Sequence, residues 1–168
     1  MTDRAVVALV GAPGAGKTRT GKRVARTLGV PFVDTDARIV ADHGVIAEIF
    51  AAHGEPHFRE LERIAVARAL GEPAVVALGG GAVLDERTRE ALAGLPVVQL
   101  TISAEAVERR ISNGKRPLLK DGVGAWEALV AERRPIYDAL SDLTLDTSNR
   151  PIDHVAADIV AWLQKEQG

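Results

Sequence analysis

The chain alternates between two kinds of apolar pattern. Ala5 to Val10, Pro31 to Val33, Ala74 to Leu78, Val97 to Ile102 and Leu143 to Leu145 are short runs, largely apolar on successive residues, as in strands buried on both faces. Between them lie longer segments with helical spacing: Phe58, Leu61, Ala65 and Ala69 form one stripe, and Val155, Ile159, Trp162 and Leu163 another. Strand and helix in alternation predict an α/β fold, a doubly wound parallel sheet with helices on both faces. Ligands of such sheets bind beyond the carboxyl ends of the strands, so chemistry is to be sought in the residues that follow each apolar run.

Composition narrows the function. A length of 168 residues accommodates one domain, residues 1–168, with one core. The absence of cysteine excludes a disulfide framework, a thiolate metal site and a thiol nucleophile. With 21 basic and 23 acidic residues the net charge is −2, whereas affinity for a nucleic-acid backbone normally shows as a basic excess, so no nucleic-acid partner is expected. The apolar start is too brief for a signal-peptide core or a membrane span. A cytoplasmic monomer with no membrane partner is the expectation.

The first run ends in Gly11-Ala12-Pro13-Gly14-Ala15-Gly16-Lys17-Thr18, a complete G-x-x-x-x-G-K-[ST] between a predicted strand and a predicted helix. Its glycines let the backbone wrap a polyphosphate with N–H groups turned inward, and the helix beginning near Gly16 adds the positive end of its dipole. Lys17 can reach the β- and γ-phosphates, and the Thr18 hydroxyl can ligate Mg²⁺. The motif predicts nucleotide binding without naming a reaction.

The second run ends in Asp34-Thr35-Asp36. If the strand persists, residues two apart face the same way and both carboxylates project into the cleft. Asp36 is also a natural N-cap for a helix starting near Ala37. Beside a phosphate loop, one carboxylate can hold the hydration shell of Mg²⁺ and the other can accept a proton from an attacking hydroxyl. The third run leads into Gly79-Gly80-Gly81, where many phosphate-loop ATPases carry an acidic metal ligand, so the metal depends on Thr18 and Asp34. Three bare residues let a small ligand touch backbone N–H groups. A tight strand-to-helix connection would explain one of them.

Arginines complete the set. In Gly54-Glu55-Pro56-His57-Phe58-Arg59, Arg59 sits one step off the apolar stripe, with Glu62 three residues on and able to fix its aim. Between Arg109 and Lys120 lie Arg110, Lys115 and Arg116 and no acid, followed later by Arg133 and Tyr137. Such a stretch is either a solvated basic face or a positively charged loop that closes over transferring phosphates.

The phosphate loop, Asp34-Thr35-Asp36, Gly54-Glu55 with Phe58-Arg59 and Glu62, the triple glycine, Arg116-Pro117-Leu118-Leu119 and Arg133-x-Pro-x-Tyr137 together resemble the shikimate kinases over essentially the whole chain. The resemblance implies the fold of nucleoside monophosphate kinases, a five-stranded parallel sheet with a substrate-binding segment, here about residues 34–62, and a lid, about 112–124. It implies transfer of the γ-phosphate of ATP to the 3-hydroxyl of shikimate, with Mg²⁺, on the way to the aromatic amino acids. By position, Asp36 would bind the shikimate hydroxyls and act as base, and Asp34 would assist the metal together with Thr18. Arg59 and Arg133 would clamp the carboxylate, with Gly80 contributing backbone contact. Lys17 and Arg116 would stabilise the transferring group. Gly14, Ala15, Gly16, Lys17, Thr18 and Arg19 would hold the nucleotide phosphates. Arg110, with Arg109 the alternative, would lie against the adenine, as would the stretch around Arg150. Two rival readings are another small kinase, such as a gluconate kinase, and a regulatory protein that holds ATP without passing on its phosphate.

Overall fold

The computed structural model describes residues 4–112 and 122–167. Arg116, and most of the segment read as a lid, lie outside the described residues. The five apolar runs form five strands: β1 Val7–Gly11, β2 Phe32–Asp34, β3 Val75–Ala77, β4 Val97–Thr101 and β5 Leu143–Asp146. They make one parallel sheet in the order β2-β3-β1-β4-β5. Strand β1 is central, and the order reverses beside it. The crevice at its carboxyl end is therefore the topological switch point where α/β sheets bind ligands.

Around the sheet run α1 Lys17–Leu28, α2 Thr35–His43, α3 Ile46–His53, α4 Glu55–Leu70, α5 Glu86–Leu92, α6 Ala104–Ser112, α7 Val123–Leu140 and α8 Ile152–Gln167, with a short 3₁₀ turn at Ala82–Leu84. Alternate residues of β1 feed two cores. Val7 and Leu9 pack with Val24 of α1 and with Val155, Ile159 and Leu163 of α8. Ala8 and Val10 pack on the other face with Val66 and Ala69 of α4 and Leu92 of α5. Trp162 joins the α8 stripe as a partly buried member. A third, separate cluster of Ile39, Ile49 and Phe58 holds α2, α3 and the start of α4 together.

The α4 stripe holds, and one expectation at β2 changes. The buried positions of α4 are Phe58, Glu62, Val66, Ala69 and Leu70, and Leu61 and Ala65 pack, partly buried, against the cluster of Ile39, Ile49 and Phe58, so Glu62 is buried in addition to the expected stripe. Arg59 pairs with this carboxylate, as described below. Strand β2 stops at Asp34, and α2 begins at once with Thr35. The N-cap is therefore Asp34, whose Oδ1 accepts the Ala37 N–H at 3.1 Å, and Asp36 stands in the first helical turn.

Gly11 ends β1 at φ +139°, and a Cβ there would run into the Leu100 carbonyl oxygen of β4. Both objections apply at once, so Gly11→Ala is expected to cost about 3 kcal/mol or more. Gly29, the C-cap of α1 at φ +69° with nothing near its missing Cβ, meets only the conformational objection, and Gly29→Ala should cost about 1 kcal/mol. Thermal unfolding of the two variants checks the difference. Equal losses would mean that the Leu100 contact is unimportant.

Candidate active site

Side chains from four places bond the carbonyls of the loop after β1. Lys17 Nζ donates to Gly11 O at 2.7 Å and Ala12 O at 3.0 Å. Trp126 Nε1 of α7 donates to Pro13 O at 2.9 Å, Arg110 of α6 to Gly14 O, and Thr147 Oγ1 beyond β5 to Ala15 O at 2.8 Å. Gly16 caps α1 at φ +91° with no side-chain cap and no acidic residue in the first turn. The positive end of the helix is left for an anion.

Gly14, Gly16, Lys17, Thr18, Asp34, Asp36, Gly79 and Gly80 line one cleft of about 260 Å³. Thr18 Oγ1 donates to Asp34 Oδ2 at 2.6 Å. A hydroxyl and a carboxylate oxygen in contact suit a hard divalent cation, and among the described residues no cluster of three or more His, Cys, Asp or Glu offers a fuller cage. That donor set would fit a Mg²⁺ ion.

The triple glycine has a role that sequence reasoning missed. None of the three has positive φ; what they provide is room. A Cβ on Gly79 would lie 2.5 Å from Asp36 Oδ1. One on Gly80 would meet Arg133 Nη1 at 3.2 Å, and one on Gly81 would collide with the Arg59 guanidinium. Three charged side chains from α2, α7 and α4 thus lie on three consecutive residues. Thr35 Oγ1 accepts the Gly79 N–H at 3.2 Å, and the Tyr137 hydroxyl donates to Gly80 O at 2.7 Å. These bonds fix the strip. The only sequence signal was the run itself, together with Tyr137 in its motif.

Electrostatics follow from that crowding. Burial raises the Asp36 carboxyl above the usual aspartate value, Asp34 adds to the rise, and Lys17 and Arg59 oppose it. Its Oδ1 is buried with no hydrogen-bond partner among the described residues. Glu62, 4% exposed, is likewise raised by burial, against the bond from Arg59. Arg59 Nη1 meets Glu62 Oε1 at 2.7 Å, the pairing expected from their spacing, and Glu55 at 3.3 Å. An acceptor oxygen left over on Asp36, with two guanidinium groups one and two residues further along the strip, suits a small molecule carrying a hydroxyl and a carboxylate.

Other candidates lie elsewhere. Arg109 reaches Asn149 Oδ1 at 3.0 Å, Arg150 pairs with Asp158 of α8 at 2.7 Å, and Arg19 is exposed. The four histidines, His43, His53, His57 and His154, are exposed, as expected of residues without a catalytic role.

The shikimate kinase family model matches residues 13–164. A shikimate kinase of Salinispora tropica is 48% identical over 162 residues, covering 94% of this chain and 97% of its own. One from Mycobacterium avium is 47% identical, covering 97% and 94%. Among solved structures, the shikimate kinase from Acinetobacter baumannii in complex with shikimate matches with a TM-score of 0.88 at 31% identity, over 97% of this chain and 94% of that one. Because the matched stretch takes in the phosphate loop from Pro13 onward, the glycine strip and both arginine-bearing helices, the chain belongs to the shikimate kinase family.

Proposed function

We propose that the protein transfers the γ-phosphoryl group of ATP to the 3-hydroxyl of shikimate, releasing ADP and shikimate 3-phosphate. The observation that carries this reading is the glycine strip, which lines up one carboxylate with an unpartnered oxygen and two guanidinium groups beside a phosphate loop. The shikimate carboxylate is held by Arg59 and Arg133, and residues 34–62 form the acceptor-binding segment. Its 3-hydroxyl donates to Asp36. Asp36 takes the proton as the hydroxyl oxygen attacks the γ-phosphorus, and the bond from that phosphorus to the β,γ-bridging oxygen breaks. A raised carboxyl pKa improves its match to the proton it must accept.

Gly14, Ala15, Gly16, Lys17, Thr18 and Arg19 hold the phosphates through backbone N–H groups, the ammonium and the helix end. Lys17, together with Arg116, neutralises charge on the transferring oxygens. Thr18 and Asp34 would hold Mg²⁺, which when bound draws charge from the β- and γ-phosphate oxygens. Arg110 and Arg150 bind the adenine side. No described helix is long and apolar enough to cross a membrane.

A coupled assay of ADP release with shikimate, with gluconate and with no acceptor tests the reading. Release that shikimate does not accelerate would end it. Asp36→Asn should lower turnover by about 100-fold or more with nucleotide affinity retained, because the phosphate loop is intact. The same variant should be more stable. Asp36 is raised on folding, so between its unfolded and folded pKa values the native state binds more protons. Stability then falls as pH rises through that window. Removing the carboxylate should lift the thermal midpoint by about 2–4 °C at neutral pH, and by less near pH 4. An unchanged or lower midpoint at neutral pH would contradict this. Arg133→Ala should raise the shikimate KM by about tenfold or more and leave the ATP KM nearly unchanged. An unaltered shikimate KM would remove Arg133 from the clamp.

A further inference from the structure

Helix α7 touches both halves of the site through residues that have no place in the scheme above. Trp126, 3% exposed, packs with Val123 and Val130 into the core shared with α1 and α8. Tyr137, 2% exposed, packs with Ile136 and Leu140 into the core on the opposite face of the sheet. One helix is therefore seated in both cores. Trp126 and Tyr137 are eleven residues apart, about three turns and 16 Å, which returns them to the same side of the helix. Arg133, seven residues after Trp126 and four before Tyr137, shares that side.

Each aromatic residue spends its one polar hydrogen on a loop carbonyl: Trp126 on Pro13 of the phosphate loop, Tyr137 on Gly80 of the glycine strip. The two loops meet directly, because a Cβ on Gly80 would lie 3.5 Å from the Pro13 ring and 3.2 Å from Arg133. Neither aromatic side chain reaches the cleft itself. Burying an indole N–H and a phenol O–H costs stability unless each is bonded, and both are bonded to the loops that carry the two substrates.

We propose that Trp126 and Tyr137 are positioning residues that register α7 against the phosphate loop and the glycine strip, and so set the separation of phosphoryl donor and acceptor. The proposal rests on the kinase reading above. In-line transfer is sensitive to sub-ångström placement of the reacting atoms, whereas binding of each substrate separately is not. A loosened clamp therefore lowers turnover more than affinity.

The test uses Trp126→Phe, Tyr137→Phe and the double variant, each keeping an aromatic ring. Steady-state kinetics with ATP and shikimate are run beside the unchanged protein, with thermal midpoints. Each single variant is expected to lose about tenfold in kcat while both KM values move by less than about threefold. The double variant should lose far less than the product of the two, because either break already frees the spacing. Single variants with kcat within about twofold of the unchanged protein, or losses that multiply in the double variant, would overturn the proposal. If Trp126→Phe does not fold, Tyr137→Phe, which lacks a single oxygen, decides by its kcat and KM alone. Failure of the unchanged protein to release ADP with shikimate would instead overturn the kinase reading.

Discussion

Residues 79–81 carry no side chains, and the arrangement of the site depends on that. Asp36, Arg133 and Arg59 come from three different helices, and a Cβ on one of the glycines would press on each of them. The three charges are thereby gathered on consecutive residues of a tight turn, in which the Ala82 N–H donates to Gly79 O at 3.1 Å. No loop made of ordinary residues could admit them without retreating from the cleft. The cost is electrostatic: Asp36 and Glu62 are both raised above their usual values, by burial first. Lys17 and Arg59 oppose the rise at Asp36, and Arg59 and Arg133 that at Glu62, without cancelling either, and the site holds carboxylates that an apolar replacement would relieve.

The phosphate loop is rigid for a related reason. Successive carbonyls from Gly11 to Ala15 accept hydrogen bonds from Lys17, Trp126, Arg110 and Thr147, which come from α1, α7, α6 and the segment after β5. Preorganisation of this kind removes the need to reorganise dipoles when charge develops on the transferring group. It also links the loop to α7, the helix that carries Arg133, so donor and acceptor halves share one mechanical element.

Much of this was legible in the sequence, because buried parallel strands read as apolar runs and a phosphate loop must be contiguous. All five strands fall on the five runs within two residues, and Lys17, Thr18, Asp34 and Asp36 meet in one cleft. The Arg59 and Glu62 pair followed from helical spacing. What was not legible required tertiary contact. Glu62 is buried beside the Arg59 guanidinium, and a pattern of apolar positions does not assign a buried place to a carboxylate. Asp34 took the N-cap because β2 and α2 join without a linking residue. Trp126 and Thr147 lie more than a hundred residues from the carbonyls they hold, where no periodicity could connect them. The three glycines line the cleft as far as Gly80 and also make room for the protein's own side chains, which the run alone did not show.

The claim that glycine is needed at this strip for space is tested most directly by the turnover of Gly79→Ala. Its φ is not positive, so alanine meets no conformational objection, and the added methyl would press on the Asp36 carboxylate. The account predicts a loss of kcat approaching that of removing the Asp36 carboxylate itself, with nucleotide affinity retained. Turnover within about threefold of the unchanged protein would contradict it.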